Sequence, residues 1–182
     1  MHKIGSEIIN LIGNEIEIDK EIINKSIDNI SNDVCKTLIS SSVLDFFRYI
    51  NINNNNVNKD NVEDTPCRPH IDTGLITIIA SSGVNGLELY NNLTDQYVDI
   101  DIYCNQMNLN NNNNNKNNNF LVIMVGETLD RISENKYKGA LHKVVNKGIE
   151  RTSIVFKFRA SPLVVGPRSE SDYKIIKKIL QK

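Results

Sequence analysis

Residues 70–80 read HIDTGLITIIA, and two potential metal ligands, His70 and Asp72, come just before a run of β-branched residues. Alternate residues of a strand point to the same face. His70 and Asp72 can therefore reach one metal ion, with Ile71 facing away into packing. The run that follows is typical of a buried strand. The stretch thus predicts a sheet protein in which one strand carries two ligands of a metal site.

A third ligand has to come from elsewhere in the chain, and His142 in the predicted strand 140–145 (ALHKVV) meets this requirement. Two histidines and one carboxylate form the facial triad that holds non-haem Fe(II) and leaves positions open for other ligands. The sequence therefore predicts an iron site built from His70, Asp72 and His142.

Arg151 and Ser153 lie just downstream, in the predicted strand 151–158. The turn Asn146-Lys147-Gly148 joins this strand to the one that carries His142, and so short a connection favours an antiparallel hairpin. An arginine guanidinium binds a carboxylate through two parallel hydrogen bonds, and a serine hydroxyl adds a further donor. The pair is therefore expected to hold one end of a diacid whose 2-oxo group chelates the metal.

The wider pattern indicates a sandwich or jelly roll, because many short strands are separated by turn signals. The predicted strands are 46–52, 74–80, 86–90, 96–102, 120–125, 140–145 and 151–158. Residues 6–46 mostly show helical periodicity, with a stop at Gly13-Asn14, and 169–182 has the pattern of a short surface helix. The chain is therefore expected to be mainly β with flanking helices.

Two asparagine tracts interrupt this pattern, at 53–58 and 108–119. Such tracts cannot bury enough apolar surface to order themselves. They are expected to be disordered insertions in loops, where extra length costs little closure entropy.

Composition and charge limit the classes of function. A chain of 182 residues with 40% hydrophobic content suits one domain with a single core. A net charge of −1 offers no basic surface for nucleic acid, and we find neither a secretory signal nor an apolar run of membrane-spanning length. Three cysteines without metal-ligand spacing favour a reduced, cytoplasmic compartment. The expected partner is a small molecule rather than nucleic acid or a membrane.

Residues 70–162 resemble the 2-oxoglutarate/Fe(II)-dependent dioxygenases of the isopenicillin N synthase-like group. HIDTGLITII is similar to the family's His-x-Asp-x-Gly-x-x-Thr stretch, and VNGLELYNNLTDQYVDIDI to its Gly-Leu strand and the hairpin that follows, with Tyr97 in place of Trp. FLVIMVGETLDRISENKYKGALHKVV resembles the segment that leads to the second metal-binding histidine, and RTSIVFKFRASP the closing Arg-x-Ser strand.

The resemblance implies a double-stranded β-helix, that is, a jelly roll. It implies Fe(II) bound by His70, Asp72 and His142, with Arg151 and Ser153 binding the distal carboxylate of 2-oxoglutarate. Dioxygen would be the oxidant, and the reaction would be hydroxylation or desaturation of an unidentified small organic substrate. The implied organisation is an N-terminal helical segment, an oxygenase domain carrying the asparagine insertions and a C-terminal helix, at 1–45, 46–168 and 169–182.

The sequence departs from the family pattern at several positions. Glu127 stands in place of Asp, Glu134-Asn135 in place of Asn-Gly, and Lys143 in place of Arg. The family usually has a tyrosine that contacts the co-substrate on the strand corresponding to 46–52. By the resemblance, Ile52 or Asn53 occupies that place and Tyr49 falls out of register, so what replaces the tyrosine is left open.

An alternative interpretation belongs to another functional class. The N-terminal segment is shorter than the family's, so the chain could be a catalytically degenerate or fragmentary jelly-roll protein that acts as a binding module. The intact set of five polar side chains favours the enzyme, because a barrel needs none of them to pack. Neither the substrate nor the oligomeric state follows from the sequence.

Overall fold

The computed structural model describes residues 1–17, 42–50, 65–80, 83–110 and 120–160. In these ranges eight strands form two antiparallel sheets of four strands each. The strands are β1 (Val43–Tyr49), β2 (Cys67–His70), β3 (Ile76–Ala80), β4 (Leu87–Asn91), β5 (Gln96–Asp99), β6 (Leu121–Val125), β7 (His142–Val144) and β8 (Arg151–Phe158). The helices are α1 (His2–Glu15), α2 (Ile100–Asn110) and α3 (Glu127–Ile132).

The two sheets have the strand orders β1-β8-β3-β6 and β2-β7-β4-β5, so neighbouring strands are mostly distant in sequence. Their inner faces share one apolar cluster, to which both sheets contribute: Ile79, Leu87, Met124, Val144 and Val155. The predicted fold, a mainly β jelly roll with flanking helices, is confirmed. None of the described helices is long and apolar enough to cross a membrane.

A second cluster lies on the outer face of the first sheet, where α1 packs. Phe158 is fully buried there, and its ring lies edge-on to the His2 ring at 5.2 Å between centroids. Gly5 of α1 approaches so closely that a Cβ on it would lie 3.3 Å from the Phe158 ring. Close packing on this helix therefore supports β8, the strand that carries Arg151 and Ser153.

Two predicted strands differ from the structure by three residues at one end or both, whereas the limits of the other predicted strands differ by two residues at most. The predicted strand 96–102 ends at Asp99, because Asp99 Oδ1 accepts a hydrogen bond from the Ile102 amide at 3.2 Å and so caps α2. The predicted strand 46–52 instead begins at Val43 and ends at Tyr49. The strand-like residue types of 96–102 could not show that a helix cap takes over at Asp99.

Other predictions agree with the structure only in part. The helix predicted from residue 6 begins at His2 and ends at Glu15, close to the expected stop. The expected loop at 108–119 is wrong for its first three residues, which belong to α2. The remaining predicted helices and asparagine tracts, at 18–41, 53–58, 111–119 and 169–182, lie outside the described residues.

A short loop after β2 docks on the N-terminus of α3, a helix that the sequence did not predict. The amides of Glu127 and Thr128 donate to the carbonyl oxygens of Asp72 and Gly74, at 2.8 and 2.9 Å. Gly74 has φ +113°, a conformation that favours glycine. Because these amides have no partner within the helix, the loop satisfies them and is itself held in place.

Gly126, just before α3, is where the two backbones come closest. A Cβ at this position would lie 2.5 Å from the Gly74 carbonyl oxygen. We expect Gly126→Ala to lower the free energy of unfolding by about 2 kcal/mol, as overpacking commonly does. Urea unfolding should measure the loss. Gly83→Ala is the control, because a Cβ there meets nothing within 4 Å and only the positive φ of 69° opposes alanine. Equal stability of Gly126→Ala and the parent would contradict the close approach.

Candidate metal centre and co-substrate pocket

Three side chains converge at one end of the second sheet. His70 ends β2, His142 begins β7, and the two are direct partners in the antiparallel register. Asp72 follows β2 in the docked loop. One ligand atom from each of the three residues lies within 4.8 Å of the others. Two imidazole nitrogens and a carboxylate oxygen at such separations can bind a single metal ion.

The prediction that one strand carries both His70 and Asp72 is wrong. β2 ends at His70, so Asp72 reaches the centre from a loop rather than from a strand face. Ile71 lies beside Gly139 but is 37% exposed, rather than packed in the core. The loop geometry that the α3 amides fix, and not strand alternation, sets the position of Asp72.

The Asp72 carboxylate is buried, with 6% of the residue exposed, and is surrounded by donors. Thr77 Oγ1 donates to its Oδ2 at 2.7 Å, and Lys157 Nζ lies 3.2 Å from its Oδ1. Burial raises the pKa of Asp72, but the Thr77 hydrogen bond and the charge of Lys157 outweigh it and bring the pKa below its ordinary value. Asp72 is therefore ionised at neutral pH, as a metal ligand must be.

Both histidines present the same nitrogen to the centre. Nδ1 of His142 lies 2.9 Å from the Ala140 carbonyl oxygen, and Nδ1 of His70 lies 2.8 Å from that of Arg68. Since a carbonyl only accepts, each Nδ1 is assigned the proton, and Nε2 is the nitrogen that faces Asp72. Burial lowers the pKa of His142, so its imidazole is neutral. Imidazoles oriented in this way fit a metal ion.

A cavity of about 140 Å³ adjoins this centre and lies between the two sheets. The inward face of β8 contributes four residues to its lining: Arg151, Ser153, Val155 and Lys157. Residues Ile79, Leu87 and Val144 give much of the remaining wall an apolar character. One cavity therefore contains the predicted metal ligands and the predicted carboxylate clamp.

Arg151 is the most buried of these four β8 residues, with only 3% of the residue exposed. Its Nε donates to the Val84 carbonyl oxygen at 3.3 Å, and its Nη2 lies 3.9 Å from Asp101 Oδ2. Ser153 is likewise 4% exposed. Asp101 belongs to the first turn of α2, and nothing in the sequence pattern pointed to it.

Tyr49 lies directly opposite Arg151 in the pairing of β1 and β8. Its place relative to the family's tyrosine stays a prediction. Its ring also lines the cavity and lies 5.8 Å from Arg151 Cζ. Burial raises the pKa of Tyr49, so its hydroxyl keeps its proton and can donate. Ile52 and Asn53, the positions predicted to replace the tyrosine, lie outside the described residues.

Two further cavity residues had little weight in the sequence analysis. Cys67 Sγ lies 3.7 Å from His70 Nδ1, and its thiol is free. Lys157 continues the alternation of Arg151 and Ser153, a signal that could have identified it. By contrast, Lys143 binds Glu88, with Nζ and Oε2 3.4 Å apart, away from the cavity.

Comparison with known families agrees with this geometry. The family model of the 2OG-Fe(II) oxygenase superfamily matches residues 46–160, more than half of the chain. The chain belongs to this superfamily. Its membership assigns Fe(II), 2-oxoglutarate and dioxygen as cofactor and co-substrates, whereas the isopenicillin N synthase-like group stays a prediction.

Curated relatives match over part of their length. A 2-oxoglutarate-Fe(II) type oxidoreductase of Aspergillus fumigatus is 30% identical over 94 residues, which cover 51% of this chain and 24% of the relative. Protein DMR6-LIKE OXYGENASE 1 of Arabidopsis thaliana is 31% identical over 103 residues, 56% of this chain and 25% of the relative. The chain thus matches these oxygenases over about a quarter of their length.

Solved structures share the fold at low identity. A full-length Neurospora crassa protein in complex with alpha-KG superposes with a TM-score of 0.61 at 17% identity, covering 99% of this chain and 53% of that one. The Arabidopsis thaliana dioxygenase for auxin oxidation 1 gives a TM-score of 0.57 at 16% identity, covering 86% and 47%. These folds support the jelly roll described above.

The Thr77 hydroxyl should matter for metal binding, because it orients Asp72 and favours the ionised carboxylate. We expect Thr77→Val to weaken Mn(II) binding about tenfold, within the range for loss of a partner of a metal ligand. Calorimetric titration with Mn(II), a redox-stable substitute for Fe(II), measures the change. Thr94→Val, at an exposed position in the β4–β5 turn, is the matched control. An unchanged Mn(II) affinity in Thr77→Val would show that the hydroxyl does not support the site.

Proposed function

We propose that this chain carries the active site of an Fe(II)- and 2-oxoglutarate-dependent oxygenase that hydroxylates or desaturates a small organic substrate. One observation carries the proposal. A two-histidine, one-carboxylate centre and a buried Arg-x-Ser pair line the same cavity.

His70, Asp72 and His142 would hold the iron. Their chemistry fits Fe(II), since two neutral imidazoles and one carboxylate leave coordination positions open for a chelating co-substrate and dioxygen. The bound iron and 2-oxoglutarate supply the oxidising chemistry, which releases succinate and carbon dioxide. The protein positions these groups and shields them.

Arg151 and Ser153 would bind the distal carboxylate of 2-oxoglutarate. Burial strengthens such charge-assisted hydrogen bonds, because little water competes for the guanidinium. Tyr49 lies opposite Arg151 and can donate its hydroxyl proton, so we assign to it the co-substrate contact that the family's tyrosine makes. Asp101 is a positioning residue that holds the guanidinium from the side of α2.

The apolar lining has a part in the chemistry as well. Ile79, Leu87, Val144 and Val155 leave water few polar partners near the co-substrate. A dry site strengthens the electrostatic interactions within it and limits side reactions. A small molecule as the substrate fits the superfamily to which the chain belongs.

The cellular compartment and the domain organisation of the chain are further parts of the proposal. Cys67 and Cys104 are free thiols, which supports a reduced, cytoplasmic compartment. We retain the division into an N-terminal helical segment, an oxygenase domain and a C-terminal helix, at 1–45, 46–168 and 169–182, except that the oxygenase domain starts with β1 at Val43. The domain match at residues 46–160 supports the central part.

The guanidinium group of Arg151, which can donate two parallel hydrogen bonds to a carboxylate, should be essential to co-substrate binding. We expect Arg151→Lys to weaken 2-oxoglutarate binding to the Mn(II)-loaded protein by about tenfold or more, because a point charge cannot form the two parallel hydrogen bonds. Calorimetry on the Mn(II)-loaded chain measures the affinity. Arg48→Lys is the matched control, since Arg48 also pairs with a carboxylate, that of Glu150, but on the exposed surface. Equal affinity in Arg151→Lys and the parent would rule out the clamp.

Turnover separates the enzyme from a binding module. With Fe(II), 2-oxoglutarate and dioxygen, we expect the parent chain to release succinate even without its substrate, at a low rate. His142→Ala should lose this activity because it removes one metal ligand. Succinate release indistinguishable between the two proteins would favour the binding-module alternative.

A further inference from the structure

Lys157 is a cation in the cavity that the proposed metal and co-substrate contacts do not use. It is the fourth inward residue of β8, on the same face as Arg151, Ser153 and Val155. Lysine is rarely placed inside a sheet sandwich, because its charge is costly to take out of water. An apolar residue would pack at this position at no such cost, so its presence needs a chemical reason.

The position of Lys157 along β8 separates it from the co-substrate clamp. Lys157 follows Arg151 by six positions along the strand, a backbone length of about 20 Å. The exposed fractions run in the same order: Arg151 is 4% exposed in its side chain and Lys157 28%. Arg151 therefore marks the deep end of the cavity, and Lys157 the end towards solvent, next to Asp72.

The described neighbours of Lys157 provide one counter-charge. Across the strands it faces Val43 and Thr77, which are uncharged. Asp45 is on the same face one residue pair away, opposite Val155, but among the described residues only Asp72 forms an ion pair with Lys157. The Nζ to Oδ1 distance of 3.2 Å places the ammonium at the edge of the metal centre.

Metal binding would change the charge balance between Asp72 and Lys157. A divalent cation on Asp72 takes up much of the carboxylate charge and repels the nearby ammonium. The two charges of Fe(II) would then be matched by Asp72 and by one carboxylate of 2-oxoglutarate, with the other carboxylate at Arg151. Lys157 would be left as a cation beside Asp72, at the end of the cavity towards solvent, from which a substrate has to approach.

We propose that Lys157 is a specificity-determining residue that binds an acidic group of the substrate, most simply a carboxylate. The substrate class is therefore a small organic acid, held by its anionic end beside the metal. This inference rests on the proposed function, because it takes the deep end of the cavity as occupied by 2-oxoglutarate.

The test compares an acid with its neutral isostere. Phenylacetate and phenylacetamide are titrated into the full chain loaded with Mn(II) and saturating 2-oxoglutarate, which occupies Arg151. Binding is read from calorimetry and from the paramagnetic relaxation of the probe's ring protons, which reports closeness to Mn(II). We expect phenylacetate to bind about tenfold tighter than phenylacetamide, as loss of a hydrogen bond to a charged group commonly costs that much.

Three variants distinguish specific binding from a general effect of charge. Lys157→Met should bind the acid and the amide alike, while Lys157→Arg should keep the preference. Lys147→Met is the matched control, because it removes a lysine paired with Glu88 at 2.7 Å outside the cavity, and it should also keep the preference. A preference that survives in Lys157→Met, or is absent from the parent, overturns the inference.

The same titrations separate this inference from the proposed function. If Lys157 only orients Asp72, Lys157→Met will lower Mn(II) affinity but leave the ratio of acid to amide binding unchanged, which counts against the inference. If 2-oxoglutarate fails to bind the parent chain, the proposed function fails. Arg151 is unoccupied in that case, so the part of the acid preference that Lys157→Met removes, measured with Mn(II) alone, is what still reports on Lys157.

Discussion

The Asp72 carboxylate lies between two imidazoles, a hydroxyl and an ammonium group, and these partners come from distant parts of the chain. Such a charge is strongly destabilising when buried without partners, by several kcal/mol. Thr77 on β3, His142 on β7 and Lys157 on β8 therefore have to be brought to it by the folded sheets. The buried carboxylate thus ties the assembly of the jelly roll to the assembly of the metal centre.

The backbone around Asp72 is constrained as closely as its side chain. Its carbonyl oxygen accepts from the Glu127 amide, and Gly126 allows α3 to approach the Gly74 carbonyl oxygen. The helix end and the loop satisfy each other's unpaired backbone groups. The position of the carboxylate is therefore set before any metal binds, which is the preorganisation that a metal ligand needs.

The sequence predicted the features that follow from local periodicity. The strand 151–158 has the predicted limits, and alternation correctly placed Arg151 and Ser153 on one inward face. Histidine and aspartate are rare enough in strand patterns that the triad could be selected before its geometry was known. The structure brings these three side chains together, as expected.

Features that depend on pairing between strands could not be predicted from local periodicity. The register that sets Tyr49 opposite Arg151 is fixed by contacts between β1 and β8, which are far apart in sequence. Asp101 reaches Arg151 only because α2 begins at Ile100, where alternating residues suggested a continuing strand. Lys157 was overlooked because a lysine in a strand is normally read as facing solvent.

The most direct test of the account is an anaerobic titration of the chain with Fe(II) and 2-oxoglutarate, followed by visible absorption. A 2-oxo acid that chelates Fe(II) through its carboxylate and oxo group gives a charge-transfer band, which neither component gives alone. The account predicts that the band saturates at one Fe(II) per chain and is lost in Asp72→Ala. Absence of the band in the parent, or an equal band in Asp72→Ala, would contradict the claim that this buried carboxylate organises an iron and 2-oxoglutarate site.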